Sequence, residues 1–373
     1  MGQSVKRVLH FLPTLDVSSG STVVVMNYYR YMDYDKVQFD FLYFEESDNN
    51  YIKEIERYGG RVYKIRRPDF SRTSISELTD LFEAHQNEWV ALHCHPVYAA
   101  VAIGWFAKKS GINNIIQHSH SSRFGNTRKS GIRNYVISRL NFLIVTNYFS
   151  CSEEAAHLLG WKMFYQKKMQ ILNNAINCER FRFKEEKRRK IREELGIAES
   201  TVVIGHSGRF SPEKNHNKLL NIFTEYYKRN QNSVLVLLGD GEEKFNILNQ
   251  ITKKNLQEKV LLLGRKDNPE DYLSAMDYFV FPSHFEGLSL ALIEAQCNGL
   301  TCYVSENVDR KTKQIDQYHE FSLIVDDSDI AEMIPKHIPT NNRLEAYEII
   351  KETRLNLSQV AKKLQSFYSA LNE

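Results

Sequence analysis

Short runs rich in valine, isoleucine, leucine and phenylalanine recur along the chain between longer amphipathic stretches, and the whole pattern runs through once and then restarts. Such alternation builds β-α-β units, whose parallel strands are covered by helices on both faces. In the first half, strands are expected at residues 8–12, 39–44, 62–65, 90–93, 114–118, 148–151 and 170–172, with helices at 23–31, 75–85 and 99–108. A charged stretch around 185–195 ends at Gly196, a common helix stop, and a second series opens at 202–206. It continues at 234–238, 260–263, 278–281 and 302–304. The expected fold class is therefore α/β, with two doubly wound parallel-sheet domains, residues 1–180 and 181–345, facing each other across a cleft. Residues 346–373 read as helix with no strand after it and are expected to return to the first domain. The length of 373 residues agrees, since a single hydrophobic core stops growing near ~250–300 residues.

Composition narrows the partners. A net charge of +3 is too small to argue for nucleic acid, which needs basic residues concentrated on one face. The charge is unevenly placed, however. No acidic residue lies between Glu88 and Glu153, while Lys108, Lys109, Arg123, Arg128, Lys129, Arg133 and Arg139 all do. That interval suits anionic lipid headgroups or an acceptor bearing a diphosphate. The cysteines, Cys94, Cys151, Cys178, Cys297 and Cys302, include no C-x-x-C pair, so neither a disulfide framework nor a zinc knuckle is encoded, and reduced thiols in the cytoplasm are expected. The apolar run after Lys6 and Arg7 stops at Pro13, unlike a signal peptide, and no stretch approaches the ~18 apolar residues of a membrane span. Membrane contact is expected to be peripheral, at the inner face of the plasma membrane.

In open α/β sheets ligands bind beyond the carboxyl ends of the strands, so the residues just after each strand matter most. Past the strand at 278–281, Glu286, Gly287, Leu288 and Ser289 lead into a helix whose unsatisfied amino terminus favours a diphosphate. Glu294 sits about a turn and a half into that helix, where a carboxylate can accept both hydroxyls of a ribose. The strand at 202–206 runs into Gly208, Arg209 and Lys214, two cations on one loop, as stabilisation of a departing nucleoside diphosphate requires. Gly264 and Arg265 close another strand. In the first half, Gly20 and Ser21 follow the opening strand, and the strand at 114–118 ends in His118-Ser119-His120. No D-x-D stands at a strand end, and Asp326-Asp327-Ser328-Asp329 reads as a turn. The lack of G-x-G-x-x-G after either opening strand argues against a dehydrogenase.

Glu286 and Glu294, with seven residues between them, resemble the E-x7-E signature of family 4 retaining glycosyltransferases, which have the GT-B fold of two Rossmann-like domains. Gly208, Arg209 and Lys214 resemble the family's G-R-x4-K segment, and Leu238-Gly239-Asp240-Gly241 and Leu263-Gly264-Arg265 its next two strand-end loops. The His118–His120 segment is similar to the H-S-H of members that build extracellular and capsular polysaccharides, and residues 171–177 to the segment leading into the hinge. The likeness runs from about Arg7 to about Ser305. It departs at Gly20, where relatives carry two adjacent glycines and this chain continues with Ser21 and Thr22.

The resemblance implies a hexosyltransferase that takes a uridine diphosphate sugar, retains the anomeric configuration, and uses no metal or other cofactor. It implies a saccharide acceptor, including one carried on a lipid diphosphate, and no nucleic acid. Glu286 would hold hydroxyls of the donor sugar and Glu294 the ribose. Arg209, Lys214 and the helix end near Leu288 would hold the diphosphate, with Gly264 and Arg265 beside the base, and His118 would face the cleft and orient the transferring sugar. Ser21, His120, Arg123, Arg128, Lys129 and Arg133 would serve the acceptor or a membrane surface. Two rival functions stay open, a nucleotide-sugar epimerase of the same fold and a non-catalytic partner subunit.

Overall fold

The computed structural model describes residues 5–17, 19–69, 71–120, 128–166 and 168–371. The chain forms two compact units, Met1–Asn174 with Leu357–Glu373, and Ala175–Asn356.

The first unit is built on a seven-stranded parallel sheet of β1 (Lys6–Phe11), β2 (Val37–Tyr43), β3 (Val62–Lys64), β4 (Trp89–Cys94), β5 (Asn114–Ser119), β6 (Asn147–Ser150) and β7 (Met169–Ile171). Their order is β3-β2-β1-β4-β5-β6-β7. Every residue of β2 is buried, as expected of a strand covered on both faces. The one carboxylate on it, Asp40, is fully enclosed and matched by Arg7 at 2.5 Å, Arg61 at 2.9 Å and the indole N–H of Trp89 at 2.8 Å. A buried charge is tolerated on such terms. Of the carboxyl-terminal residues, the helix Leu357–Ser369 packs on β1, β2 and the helix Gly20–Tyr29, whereas the helix Arg343–Ile350 belongs to the second unit.

The second unit holds a six-stranded parallel sheet of β8 (Val202–Ser207), β9 (Ser233–Leu238), β10 (Val260–Gly264), β11 (Tyr278–Phe281), β12 (Thr301–Ser305) and β13 (Tyr318–Phe321), in the order β10-β9-β8-β11-β12-β13. Just before β11, buried Asp277 accepts from Arg188 and Arg192, each at 2.7 Å, and from the backbone N–H of Val203 at 2.8 Å. These bonds tie the helix Glu185–Glu194 to the sheet. β13 was not expected. It is a short edge strand in which only Tyr318 and Phe321 turn inward, too little pattern to register. The acidic stretch 326–329 is not a free turn but opens the helix Asp327–Met333, with Asp327 and Asp329 in the first turn, where the helix dipole favours negative charge.

In each sheet the strand order reverses beside the first strand of the unit, between β1 and β4 and between β8 and β11. Ligand crevices of doubly wound sheets open at these reversals.

Candidate active site

At the reversal of the second sheet the loops after β8 and β11 meet. The Lys214 ammonium donates to the Glu286 carboxylate at 2.6 Å and lies 4.6 Å from the centre of the Phe281 ring. Behind them His284 N–H donates to the Glu213 carbonyl at 2.8 Å, locking the two loops together. Lys214 is followed by Asn215, which has a left-handed backbone, φ 54°, and caps the helix His216–Arg229 through the N–H of Lys218. The lysine is thus carried on a turn anchored at a helix start. Glu286 is braced from the far side: the Asp309 N–H donates to its carbonyl at 2.9 Å, and the Thr312 hydroxyl to the Gly287 carbonyl at 3.3 Å. Residues 308–312 therefore support the Glu286 loop, which no sequence motif indicated.

The β9 loop closes on the same place. Gly239 has φ +140°, and a Cβ there would stand 1.9 Å from the Gly208 carbonyl oxygen, so backbone touches backbone and only glycine fits. The Gly239 N–H in turn donates to the Gly264 carbonyl at 3.0 Å, bringing the end of β10 alongside. Gly208, Lys214, Glu286 and Gly264 thus belong to one row of adjacent strand-end loops. A Cβ on Gly287 would meet nothing within 4 Å, which leaves its backbone open to a ligand. The helix Leu290–Cys297 starts after Ser289, which offers no side-chain cap, so its first N–H groups remain available to an anion.

Arg209 and Glu294 are not bonded to the Lys214–Glu286 pair among the described residues. Arg209 reaches out to Glu242 at 3.1 Å with its side chain 73% exposed, while Lys214 is only 14% exposed. Glu294 is partly buried, and burial raises its carboxyl to about 8, with Arg180 opposing and Glu270 adding to the rise. Its charged neighbours thus come from the helix after β10, two strands along the row from the Lys214 loop, and from the helix Cys178–Phe181. Arg265 is exposed. Ser283, at the end of β11, is fully buried and its hydroxyl has no partner among the described residues, as is also true of Nε2 of His206 on β8. Neither was singled out from the sequence, because a serine or histidine at a strand end carries no spacing signal.

The first unit gathers histidines at its own strand reversal. His10 on β1 stands in register with His93 on β4. Ring nitrogens link His10 to His95 at 3.0 Å and His95 to His120 at 2.7 Å, and His93 pairs with the Tyr368 hydroxyl at 2.5 Å. His118 stacks on His120 with centroids 4.0 Å apart. Expected to face the cleft, it is fully buried, neither ring nitrogen has a partner among the described residues, and His120 is the more exposed of the two. Desolvation lowers all five rings, His10 to about 3, His120 to about 4, and His93, His95 and His118 well below the ordinary value, each ring also disfavouring charge on others. All are neutral near pH 7. Two trios, His10/His93/His95 and His95/His118/His120, bring one ligand atom from each ring within 4.8 Å of the others, the spacing a metal ion would need. His93 and His95 alternate at the end of β4 as His118 and His120 do at the end of β5, and of the two pairs only the second was singled out from the sequence.

Gly20 opens the helix Gly20–Tyr29, three residues earlier than expected, and a Cβ on it would meet nothing within 4 Å. Thr22 is buried and donates to the Thr14 carbonyl at 2.7 Å, whereas Ser21 keeps a partly exposed hydroxyl. The departure from two glycines is therefore absorbed by a helix start without strain. Lys129 and Arg133 are exposed on the helix Arg128–Ser138, while Arg123 and the side chain of Arg128 lie outside the described residues. No disulfide joins the cysteines among the described residues, and no helix among them is long and apolar enough to cross a membrane.

Residues 187–339 match the model of the family described as glycosyl transferases group 1. The chain is 32% identical over 316 residues to EpsF of Bacillus subtilis, covering 83% of this chain and 82% of that protein. It is 28% identical over 224 residues, 57% of each chain, to the Escherichia coli UDP-Gal:alpha-D-GlcNAc-diphosphoundecaprenol alpha-1,3-galactosyltransferase. Among solved structures, Anabaena Alr3699/HepE, crystallised with UDP, superposes with a TM-score of 0.77 at 15% identity over 98% of this chain and 100% of that one. By its sheets, its strand-end loops and these likenesses, the chain belongs to the group 1 glycosyltransferases and has their GT-B fold.

Proposed function

We propose that the protein is a retaining hexosyltransferase that moves a sugar from a uridine diphosphate donor onto a saccharide carried by a lipid diphosphate, in the synthesis of a surface or capsular polysaccharide, without a metal ion. The observation that carries this reading is the Lys214–Glu286 contact at the strand reversal of the second unit, beside an uncapped helix start. A cation, open N–H groups and a carboxylate stand together there. The donor diphosphate takes Lys214 and the helix end, and Arg209, held only by an exposed ion pair, swings onto it. Released from Lys214, Glu286 accepts hydroxyls of the donor sugar, while Glu294 accepts those of the ribose.

The bond to the diphosphate breaks through an oxocarbenium-like state, and the charge that develops on the leaving group is met by Lys214, Arg209 and the helix N–H groups. These replace the divalent ion that other transferases place on the diphosphate. The acceptor hydroxyl attacks from the leaving-group face and passes its proton to the departing phosphate, so no side chain forms a covalent intermediate. In the first unit the neutral imidazoles, His120 outermost with His118 and His95 behind it, orient the transferring sugar. The acceptor reading draws support from the diphosphoundecaprenol substrate in the name of the Escherichia coli relative. Lys108, Lys109, Lys129, Arg133 and Arg139 dock the unit on an anionic membrane.

The test is a product analysis. With a uridine diphosphate hexose and a short lipid diphosphate saccharide, the new linkage is expected to keep the anomeric configuration of the donor by NMR. An inverted linkage would reject retention, and an altered sugar recovered from donor alone would favour the epimerase.

A further inference from the structure

The first unit holds an open cavity of about 700 Å³ on the side of its sheet covered by the helices Arg72–Ala84, Ala100–Lys109 and Arg128–Ser138. Phe11, Phe44, Leu78, Tyr98, Ala102 and Phe106 are among the residues that wall it. Protein interiors pack to crystal density, so an unfilled apolar space of this size is the mark of a ligand site, within the ~300–1,000 Å³ usual for one. Among the described residues only three charged side chains line it, Arg67, Asp69 and Arg133. Asp69 is committed elsewhere: it accepts from the Ser71 N–H at 2.9 Å and the Ser71 hydroxyl at 2.5 Å, at the start of the helix Arg72–Ala84. The arginines face the cavity. Arg67 lies 5.7 Å from the centre of the Phe44 ring and Arg133 5.5 Å from that of Tyr98. Both are exposed, and neither forms an ion pair among the described residues.

The mouth is apolar on its outer side as well. Trp105 and Leu143 belong to both the lining and the surface, 47% and 57% exposed, and Ile132, Val136 and Leu140 continue the exposed strip along the helix Arg128–Ser138 and just past it. At its edge Arg139 stacks over Tyr135 at 4.3 Å and over Trp161 at 5.1 Å, and Lys109 lies 3.7 Å from the Trp105 ring centre. Aromatic rings with cations snorkelling beside them suit a lipid–water boundary.

We propose that this cavity receives the first isoprene units of a polyprenyl diphosphate, with Arg67 and Arg133 gripping the diphosphate at its mouth. The inference rests on the lipid-linked acceptor named above and deepens it by assigning the site. The occupant follows from charge and shape: an apolar chain fills the walls, and two guanidiniums on one rim, hydrogen-bonded only to the neutral Asn134 and Tyr98 and without an ion pair among the described residues, match the oxygens of a diphosphate, which arginine binds bidentately. A fatty acid carries too little charge for both arginines, and a peptide would leave its backbone polar groups unpaired against these walls.

The test uses the full chain with farnesyl diphosphate, inorganic diphosphate, farnesol and palmitate as calorimetric probes, and UDP in a parallel thermal-shift assay. Farnesyl diphosphate is expected to bind saturably at one site per chain, at least about 10-fold tighter than any of the other three probes. Ala102→Phe, which fills the cavity, is expected to bring farnesyl diphosphate down to the affinity of inorganic diphosphate. Arg67→Gln with Arg133→Gln is expected to bring it down to that of farnesol. Both variants should keep the wild-type far-UV circular dichroism and a cooperative melt, which shows that the first unit folds, together with the wild-type UDP shift of the second unit. Absence of saturable farnesyl diphosphate binding, palmitate binding equally well, or indifference to both variants overturns the proposal, as does a dimer that dissociates in Ala102→Phe, which would assign the cavity to a second copy of the chain. A wild type that binds farnesyl diphosphate but shows no UDP shift would support this site and remove the donor reading instead.

Discussion

The Lys214 ammonium lies 2.6 Å from the Glu286 carboxylate although 72 residues separate them, because β8 and β11 are neighbours at the point where the strand order of the second sheet reverses. Ligand-free, each neutralises the other. In the mechanism proposed above, a donor diphosphate competes for the lysine and frees the carboxylate for the sugar.

Lys214→Ala and Arg209→Ala should each lower turnover by ~100-fold or more, about 3 kcal/mol, the usual effect of removing one preorganised charge-stabilising donor. Arg209 is not prevented from joining Lys214 by its contact with Glu242, since an exposed pair of that kind contributes only ~0–1 kcal/mol. Steady-state rates with saturating donor would decide. Turnover within a few-fold of wild type in both variants contradicts the assignment.

Glu294 carries a second prediction. Burial lifts its carboxyl to about 8, so the folded state holds a proton that the unfolded chain releases near the ordinary carboxyl range. Its contribution to stability is complete below about 4.5 and is lost as pH rises through about 8. Glu294→Gln, which cannot ionise, should therefore gain in Tm relative to wild type between pH 6 and pH 9 while binding UDP more weakly, because one acceptor for the ribose is gone. Parallel Tm curves with unchanged UDP affinity would refute both halves.

The histidines behave in the opposite sense. His10, His93, His95, His118 and His120 are all lowered by burial, so their stabilising contribution is complete above the unfolded value of about 6.5 and is lost as pH falls from there through about 4. Each proton taken up on unfolding steepens the loss by ~1.4 kcal/mol per pH unit. Thermal melts from pH 7.5 to pH 5 should show a steep fall in Tm, shallower when His118 is replaced by Asn. A flat profile would contradict the buried, neutral cluster.

Much of this was legible in the sequence because it is local. The run from Gly208 to Lys214 sits between one strand and one helix, and that from Glu286 to Glu294 passes from a strand-end loop into the next helix, so hydrophobic periodicity alone placed them beyond strand ends. What brings Lys214 to Glu286 is strand order, which no stretch of residues declares. The same holds for His10, His93 and His95, which come from two strands that meet only in the folded sheet. Arg67 appears as an ordinary surface cation until Phe44 is seen beside it, whereas Arg133 already stood in the basic interval read as an acceptor or membrane surface, without the cavity beside Tyr98 being visible. β13 escaped notice for another reason: with His319 and Glu320 exposed, an edge strand of four residues has too few inward positions to set a period.

Metal independence is tested separately. If, as proposed, charge on the leaving diphosphate is met by Lys214, Arg209 and the helix start at Leu290, turnover after exhaustive treatment with EDTA should equal that of the untreated enzyme. A strict requirement for magnesium or manganese would remove this part of the mechanism, and retained metal that follows the histidines in a His95→Asn variant would relocate it to the first unit.

The most direct measurement is the thermal shift of the full chain with UDP, taken beside Lys214→Ala. A ligand specific to the folded state stabilises by mass action, about 2.7 kcal/mol at a concentration 100 times its Kd, so occupancy of the donor site is visible as a rise in Tm. UDP should raise the Tm of the wild type and leave that of Lys214→Ala nearly unmoved. No shift in the wild type, or an equal shift in both proteins, would contradict the placement of the donor diphosphate at Lys214.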